Sequence, residues 1–304
     1  MRMRRFGLML TVSVLIAVGL ALATSLLVGT LASAPVPVAV GSPPADLPVE
    51  SVSIESKSGS RLAGWLIHGK SKGGVVLLMH GVRANRLELL GRARLLHKHG
   101  FSVLLFDFQA HGESPGRHIT FGYLESLDAR TAFDYVRHAL PGERVGIVGM
   151  SLGGAAAVLA DPPIQADAMV LEAVYASFYR AVENRLAIRV GRVAGRLLAP
   201  TLLWQVKFRL GFDPRLLQPS DCIDRVHVPL LLIAGAADAH ATLAEMNQLY
   251  MQANEPKELW VIAGARHVDF ESYAPAEYEQ RVIRFLEAQL RAERGERTAP
   301  VGRQ

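Results

Sequence analysis

Six short runs in this chain are apolar without interruption: Val75–Met79, Val103–Phe106, Val145–Val148, Met169–Leu171, Leu230–Ala234 and Leu259–Ile262. A strand with one face in water alternates apolar and polar residues, whereas a continuous run has both faces covered. Stretches of helical periodicity around Leu87–His99, Leu124–His138 and Leu243–Ala253 separate most of the runs. Alternating strands and helices predict an α/β architecture with a mostly parallel, doubly wound sheet. Ahead of them, Val52–Ile54 and Leu62–Ile67 read as two antiparallel strands turning through Lys57-Ser58-Gly59-Ser60.

The N-terminus carries a second constraint. Arg2, Arg4 and Arg5 precede Phe6–Leu31, 26 residues without a charge. As a helix this segment is about 39 Å long, enough to cross a hydrocarbon core of about 30 Å with some tilt. Ala32-Ser33-Ala34 also fits a signal-peptidase site. Cleaved signals, however, have apolar regions of only about 7–15 residues, and Pro35 follows the site directly. Residues 1–31 are therefore read as an uncleaved signal-anchor, with secretion after cleavage as the alternative. Lys and Arg are absent from residues 32–56, so the positive-inside rule puts the N-terminus in the cytoplasm and the body outside, in the periplasm of a bacterium. Five prolines within residues 32–48 predict a stiff linker over 32–50 that holds the domain off the membrane. A catalytic domain over 51–293 and a disordered tail over 294–304 complete the expected organisation.

Composition narrows the function. With 304 residues, 50% hydrophobic and 20% charged, the chain suits one large domain or two small ones and is too apolar to be disordered. The single cysteine, Cys222, excludes an intrachain disulfide framework and a cysteine-based zinc site. The histidines have no H-e-x-x-H spacing. Neither a metal nor a cofactor is expected.

In doubly wound sheets chemistry collects past the carboxyl ends of the strands, and three strand ends here carry a nucleophile, an acid and a base. Val148 leads into Gly149-Met150-Ser151-Leu152-Gly153-Gly154 and then an Ala-rich helix. This is the G-x-S-x-G pattern, in which Gly149 and Gly153 leave room for a strand to turn at once into a helix and hold Ser151 at its start. Asp238 follows the run Leu230–Ala234 and can hold a histidine in one tautomer; capping the helix near Thr242 is its alternative role, and Glu172 is the reserve acid. His267, after the last run, completes the chain order Ser, Asp, His. Backbone N–H groups of Leu152 and Val82 are the expected oxyanion donors, with His80 a structural brace for the Val82 loop. A neutral imidazole is needed, so activity is expected to fall in acid as His267 protonates.

Met79-His80-Gly81, Asp107-Phe108-Gln109-Ala110-His111-Gly112-Glu113-Ser114, the Ser151 motif, Asp238 and His267 together resemble the α/β-hydrolase superfamily, in particular its serine-aminopeptidase-like and lysophospholipase-like branch, over about residues 50–290. The resemblance implies the α/β-hydrolase fold with a helical lid at about 176–226, and a serine hydrolase without cofactor. The expected reaction is cleavage of a carboxylic ester, including that of a lipid or lysophospholipid. A peptidase or thioesterase of the same fold, or a catalytically silent membrane-tethered binding protein, are the alternatives. Relatives often read D-x-R-G-H-G-x-S where this chain has Gln109 and Ala110, so any salt bridge made by that arginine is expected to be absent.

Charge is concentrated in the lid. Residues 180–215 hold eight basic and two acidic residues, a net +6 against +5 for the whole chain. Arg185, Arg189, Arg192 and Arg196 are spaced 4, 3 and 4, which predicts one helical face ending at Ala199-Pro200, flanked by Leu186, Val190, Val193 and Leu197. Such a lid either covers the pocket with its apolar side and leaves the arginines in water, or lies on anionic headgroups. A basic patch confined to one insertion, without interleaved aromatics, argues against nucleic-acid binding.

Overall fold

The computed structural model describes residues 2–291; the tail expected over 294–304 lies outside them. An eight-stranded sheet is built from β2 (Val49–Glu55), β3 (Arg61–Ile67), β4 (Val75–Met79), β5 (Ser102–Phe106), β7 (Val145–Met150), β8 (Ala168–Glu172), β9 (Leu230–Gly235) and β10 (Lys257–Ile262). Two-residue strands β1 (Val36–Pro37) and β6 (His111–Gly112) pair separately. The sheet order is β10-β9-β8-β7-β4-β5-β3-β2. β2 and β3 pair antiparallel, as does β3 with β5, and the other neighbours are parallel. Each apolar run of the sequence is thus a strand, extended by at most two residues at either end.

Burial on both faces explains why those runs do not alternate. Val75, Leu77 and Met79 of β4 join the core under α3 (Tyr123–Ala139), α4 (Leu152–Leu159) and α7 (Leu243–Gln252). Val76 and Leu78 join the opposite core, under α2 (Leu90–Lys98) and the C-terminal helical segment. Each such side chain contributes roughly 1.5–3 kcal/mol by leaving water. The chain passes from β4 to β5 on one side and to β7 on the other, so the reversal of strand order, where doubly wound sheets form their crevice, falls beside the ends of β4 and β7.

Between β8 and β9 the chain inserts two long helices, α5 (Phe178–Val190) and α6 (Arg192–Leu210). Here the structure corrects the sequence reading twice. Gly191, with φ +86, breaks the expected single helix, so Arg185 and Arg189 stand on α5 and Arg192 and Arg196 on α6. Pro200 does not end a helix but lies inside α6. It and Arg196, whose carbonyl loses its partner, are exposed, so water can take up the freed acceptor.

The N-terminal helix α1 (Arg2–Ser33) is long and apolar enough over Thr11–Ser33 to cross a membrane, as an anchor or as a signal sequence does. The proline-rich segment after it was expected to stand the domain off the membrane. Instead it lies on the domain: Val36 N–H donates to Ala110 O at 2.8 Å, Val38 N–H to Gly112 O at 2.8 Å, and Val40 N–H to Glu113 Oε1 at 3.0 Å. Pro37 lies between the two donating valines, where this short pairing does not need the N–H that proline lacks.

Candidate active site

Ser151 is the single residue between the end of β7 and the start of α4, and it has φ +49 and ψ −107. A non-glycine residue in such a conformation stores strain that its surroundings must hold. The hold is visible: Ser151 N–H donates to Glu172 O at 2.7 Å, and the turn is too tight for side chains beside it. A Cβ on Gly149 would lie 2.6 Å from Gly154 Cα, and one on Gly153 only 2.1 Å from Met79 O. Gly154, not singled out from the sequence, is equally constrained, since its Cβ would meet Val174 Cγ2 at 2.4 Å. Ala155, Ala156 and Ala157 let the fully buried α4 approach the sheet closely.

Asp238 and His267 come from adjacent loops after β9 and β10. Ala236 N–H donates to Ile262 O at 3.0 Å and Ala237 N–H to Ala265 O at 2.8 Å, which ties the loops together. Gly235 makes the approach possible, because a Cβ there would lie 2.5 Å from Ala265 O; its role was not legible in the sequence. Asp238 Oδ2 lies 2.7 Å from His267 Nδ1, while Oδ1 accepts from His240 N–H at 2.7 Å and Ala241 N–H at 3.0 Å. A carboxylate only accepts, so Nδ1 is the protonated nitrogen and Nε2 is left as the acceptor. Asp238 does not cap α7: Thr242 does, with Glu245 closing the capping box. His240, whose ring centroid is 5.0 Å from that of His267, was also missed. Burial and the neighbouring His267 hold its imidazole below the ordinary range.

A cavity of about 630 Å³ opens over Ser151 and is lined by Val82 and Leu152 as well. Among the described residues neither Val82 N–H nor Leu152 N–H has a protein acceptor, and Leu152 N–H sits at the positive end of α4. Ser151 is 3% exposed. Among the described residues its Oγ makes no hydrogen bond, so the Ser151–His267 contact is not closed in this conformation. Catalytic hydrogen bonds often tighten only with substrate bound.

His80 matches its expected bracing role. Its Nδ1–H donates to Gly81 O at 2.7 Å and its Nε2 accepts from Phe108 N–H at 3.1 Å. Complete burial pushes the imidazole down to about 3, so it stays neutral. Glu172, the reserve acid, is occupied elsewhere: it is fully buried and takes Arg92 Nη2 at 2.6 Å together with the Tyr278 hydroxyl. In the loop after β5, Asp107 pairs with Arg86, which also reaches Glu113. Gln109 Nε2 donates to Glu125 Oε1 at 2.9 Å and His118 O at 2.8 Å.

A strained serine and two amides without a protein acceptor open onto one pocket, and an acid–histidine pair stands past the ends of β9 and β10 at the carboxyl edge of the same sheet; these are the groups that acyl transfer uses. Comparisons with known proteins agree with the fold. Residues 75–281 match the model of the alpha/beta hydrolase family. An uncharacterized protein of Mycobacterium tuberculosis is 33% identical over 228 residues, covering 72% of each chain. An alpha/beta hydrolase domain-containing protein of Arabidopsis thaliana is 26% identical, covering 67% of this chain and 66% of its own. Among solved structures, an esterase of Pyrococcus furiosus superposes with a TM-score of 0.69 at 25% identity, over 85% of this chain and 98% of that one. The chain belongs to the alpha/beta hydrolase family.

Proposed function

We propose that the protein is a membrane-anchored serine esterase with Ser151, Asp238 and His267 as its triad. His267 Nε2 takes the proton of Ser151 as Oγ attacks an ester carbonyl, and Asp238 holds the imidazole and stabilises its charged form. The tetrahedral oxyanion is received by the N–H groups of Leu152 and Val82. As the C–O bond breaks, the leaving alcohol takes the proton from His267. Water, deprotonated by the same nitrogen, then cleaves the acyl-enzyme and releases the acid. The observation that carries this reading is the strained Ser151, opening onto a cavity with two unpaired amides. The likeness to an esterase supports an ester as substrate. No metal or cofactor enters any step.

The helix α1 remains attached as a single-pass anchor in this reading, with the catalytic domain on the extracytoplasmic side. Steady-state hydrolysis of p-nitrophenyl butyrate by the full-length protein in detergent tests the chemistry. Turnover that disappears in Ser151→Ala is expected, and equal turnover by wild type and variant would refute it. Membranes washed with alkaline carbonate should retain the protein; its release at the size of residues 35–304 would mean cleavage.

A further inference from the structure

Up to Thr24 the described side chains of α1 are exposed. The stretch Phe6–Thr24 is about 28 Å long as a helix, close to the hydrocarbon thickness of about 30 Å. Beyond it the helix docks on α6. Ser25 and Gly29 are half-buried and Ser33 is buried, one residue per turn, a spacing of small residues that lets helices approach closely. Ser25 Oγ lies 3.0 Å from Thr201 Oγ1, and Gln205 Nε2 donates to Ser25 O at 3.0 Å. Arg209 donates to Leu26 O at 3.0 Å and Thr30 Oγ1 at 2.6 Å, and Arg83 to Leu31 O at 3.0 Å. Later residues of α1 meet later residues of α6, so the two helices point the same way. The first half of α6 therefore lies on the side from which α1 arrives. Val193 is about 12 Å before Thr201 along the helix, toward the hydrocarbon.

A helix on a globular surface needs one apolar face, and α6 has two. Leu202, Val206 and Leu210 line the cavity over Ser151. On the opposite side Val193, Leu197, Trp204 and Phe208 fall within about 60° of one another at 3.6 residues per turn. Each of the four is between 64% and 77% exposed. The Trp204 and Phe208 rings stand 5.1 Å apart, and Ile188 and Val190 add exposed apolar surface before the turn at Gly191. Apolar surface that continues in this way marks a contact with something other than water.

Charge says what that contact is. Residues 184–212 hold six basic residues and no Asp or Glu. Arg189, Arg192, Arg196 and Lys207 of this stretch are exposed, and among the described residues none of them has a carboxylate within ion-pair distance. Arg180 and Arg215, just outside it, pair with Glu183 and Asp213. An exposed apolar stripe with aromatics, edged by unpaired cations, suits a helix lying in the headgroup–acyl boundary of an anionic bilayer. A second copy seated on the same face would bring the cations of both together.

Resting on the anchored reading of α1, we propose that α6 is a second membrane contact, made with the anionic leaflet from which α1 emerges. Val193, Leu197, Trp204 and Phe208 enter the acyl boundary, while Arg192, Arg196 and Lys207 meet lipid phosphates. One apolar face of α6 is then in the leaflet and the other in the cavity. The lid thereby fills both roles read from its sequence, covering the pocket and lying on headgroups.

Trp204 reports on this contact, because the other two tryptophans, Trp65 and Trp260, are buried. Full-length protein is reconstituted in vesicles of equal parts phosphatidylcholine and phosphatidylglycerol with brominated acyl chains. Bromine should quench the emission of wild type and leave that of Trp204→Phe unchanged, with little quenching of either by aqueous acrylamide. Leu197→Glu, at an exposed position, should weaken the bromine effect about twofold or more by setting a carboxylate against the boundary. Arg192→Gln/Arg196→Gln/Lys207→Gln should do the same; quenching unchanged in that variant would overturn the phosphate contact. A Trp204 open to acrylamide and untouched by bromine would overturn the inference. So would one shielded from both, since a protein partner would then cover the stripe. In either case protein that floats with the vesicles leaves the anchored reading standing, whereas protein left in the aqueous fraction refutes both.

Discussion

Asp238 Oδ2 and His267 Nδ1 stand 2.7 Å apart, with the other carboxylate oxygen held by two backbone N–H groups, so the acid is fixed from both sides before it meets the imidazole. An aspartate so held imposes one tautomer on its partner. Asp238→Asn should keep the fold and lower kcat about 10³–10⁴-fold, the loss expected when the tautomer is no longer imposed. Circular dichroism together with ester hydrolysis checks both halves; a loss below tenfold would move the acid role elsewhere.

Glu172 offers the contrasting case. Its carboxylate neutralises the buried guanidinium of Arg92, whose remaining ion pair is to Asp269 at 2.6 Å. Glu172→Gln should cost about 3 kcal/mol of stability by leaving the buried guanidinium with only the Asp269 carboxylate, with kcat/KM of the folded fraction unchanged. Urea denaturation of the detergent-solubilised protein gives the first quantity and ester hydrolysis the second.

The motif glycines act through backbone contact. Gly153→Ala would put a methyl group 2.1 Å from Met79 O, where no side chain can yield. Destabilisation of about 3 kcal/mol or more is expected, read as a drop in melting temperature with little folded protein recovered.

His80 links stability to pH. In the unfolded chain an imidazole takes up its proton near 6.5, whereas burial delays this in the folded protein to about 3. Across that window the unfolded state binds more protons, so stability is lost as pH falls from 6.5 toward 3. His80→Gln, which preserves an acceptor for Phe108 N–H, should be less stable at pH 7 yet lose less on acidification. Denaturant midpoints at pH 7, 5.5 and 4 would check this; parallel slopes for the two proteins would refute it.

These residues also mark how far the sequence could be read. Continuous apolar runs expose a parallel sheet because burial on both faces leaves a one-dimensional trace, and Ser151, Asp238 and His267 follow from their positions after those runs. Gly191 and Pro200 misled for a physical reason. A glycine inside a periodic stretch does not announce a break, and an exposed proline can be carried within a helix when water serves the lost acceptor. Arg92 reads as a surface residue until Glu172 and Tyr278 are seen around it. The docking stripe Ser25, Gly29 and Ser33 looks like ordinary membrane-helix composition. Arg83 and Arg209 lie too far apart in the chain for spacing to join them. What stayed hidden depends on contacts between distant segments.

The proposed chemistry depends on Ser151 as an activated nucleophile. A fluorophosphonate probe forms a covalent bond to such an oxygen, and peptide mass mapping locates the adduct. One adduct per chain is expected, on the peptide containing Ser151, absent in Ser151→Ala and slowed in His267→Ala. Failure of the wild-type protein to label, or equal labelling of Ser151→Ala, would contradict it.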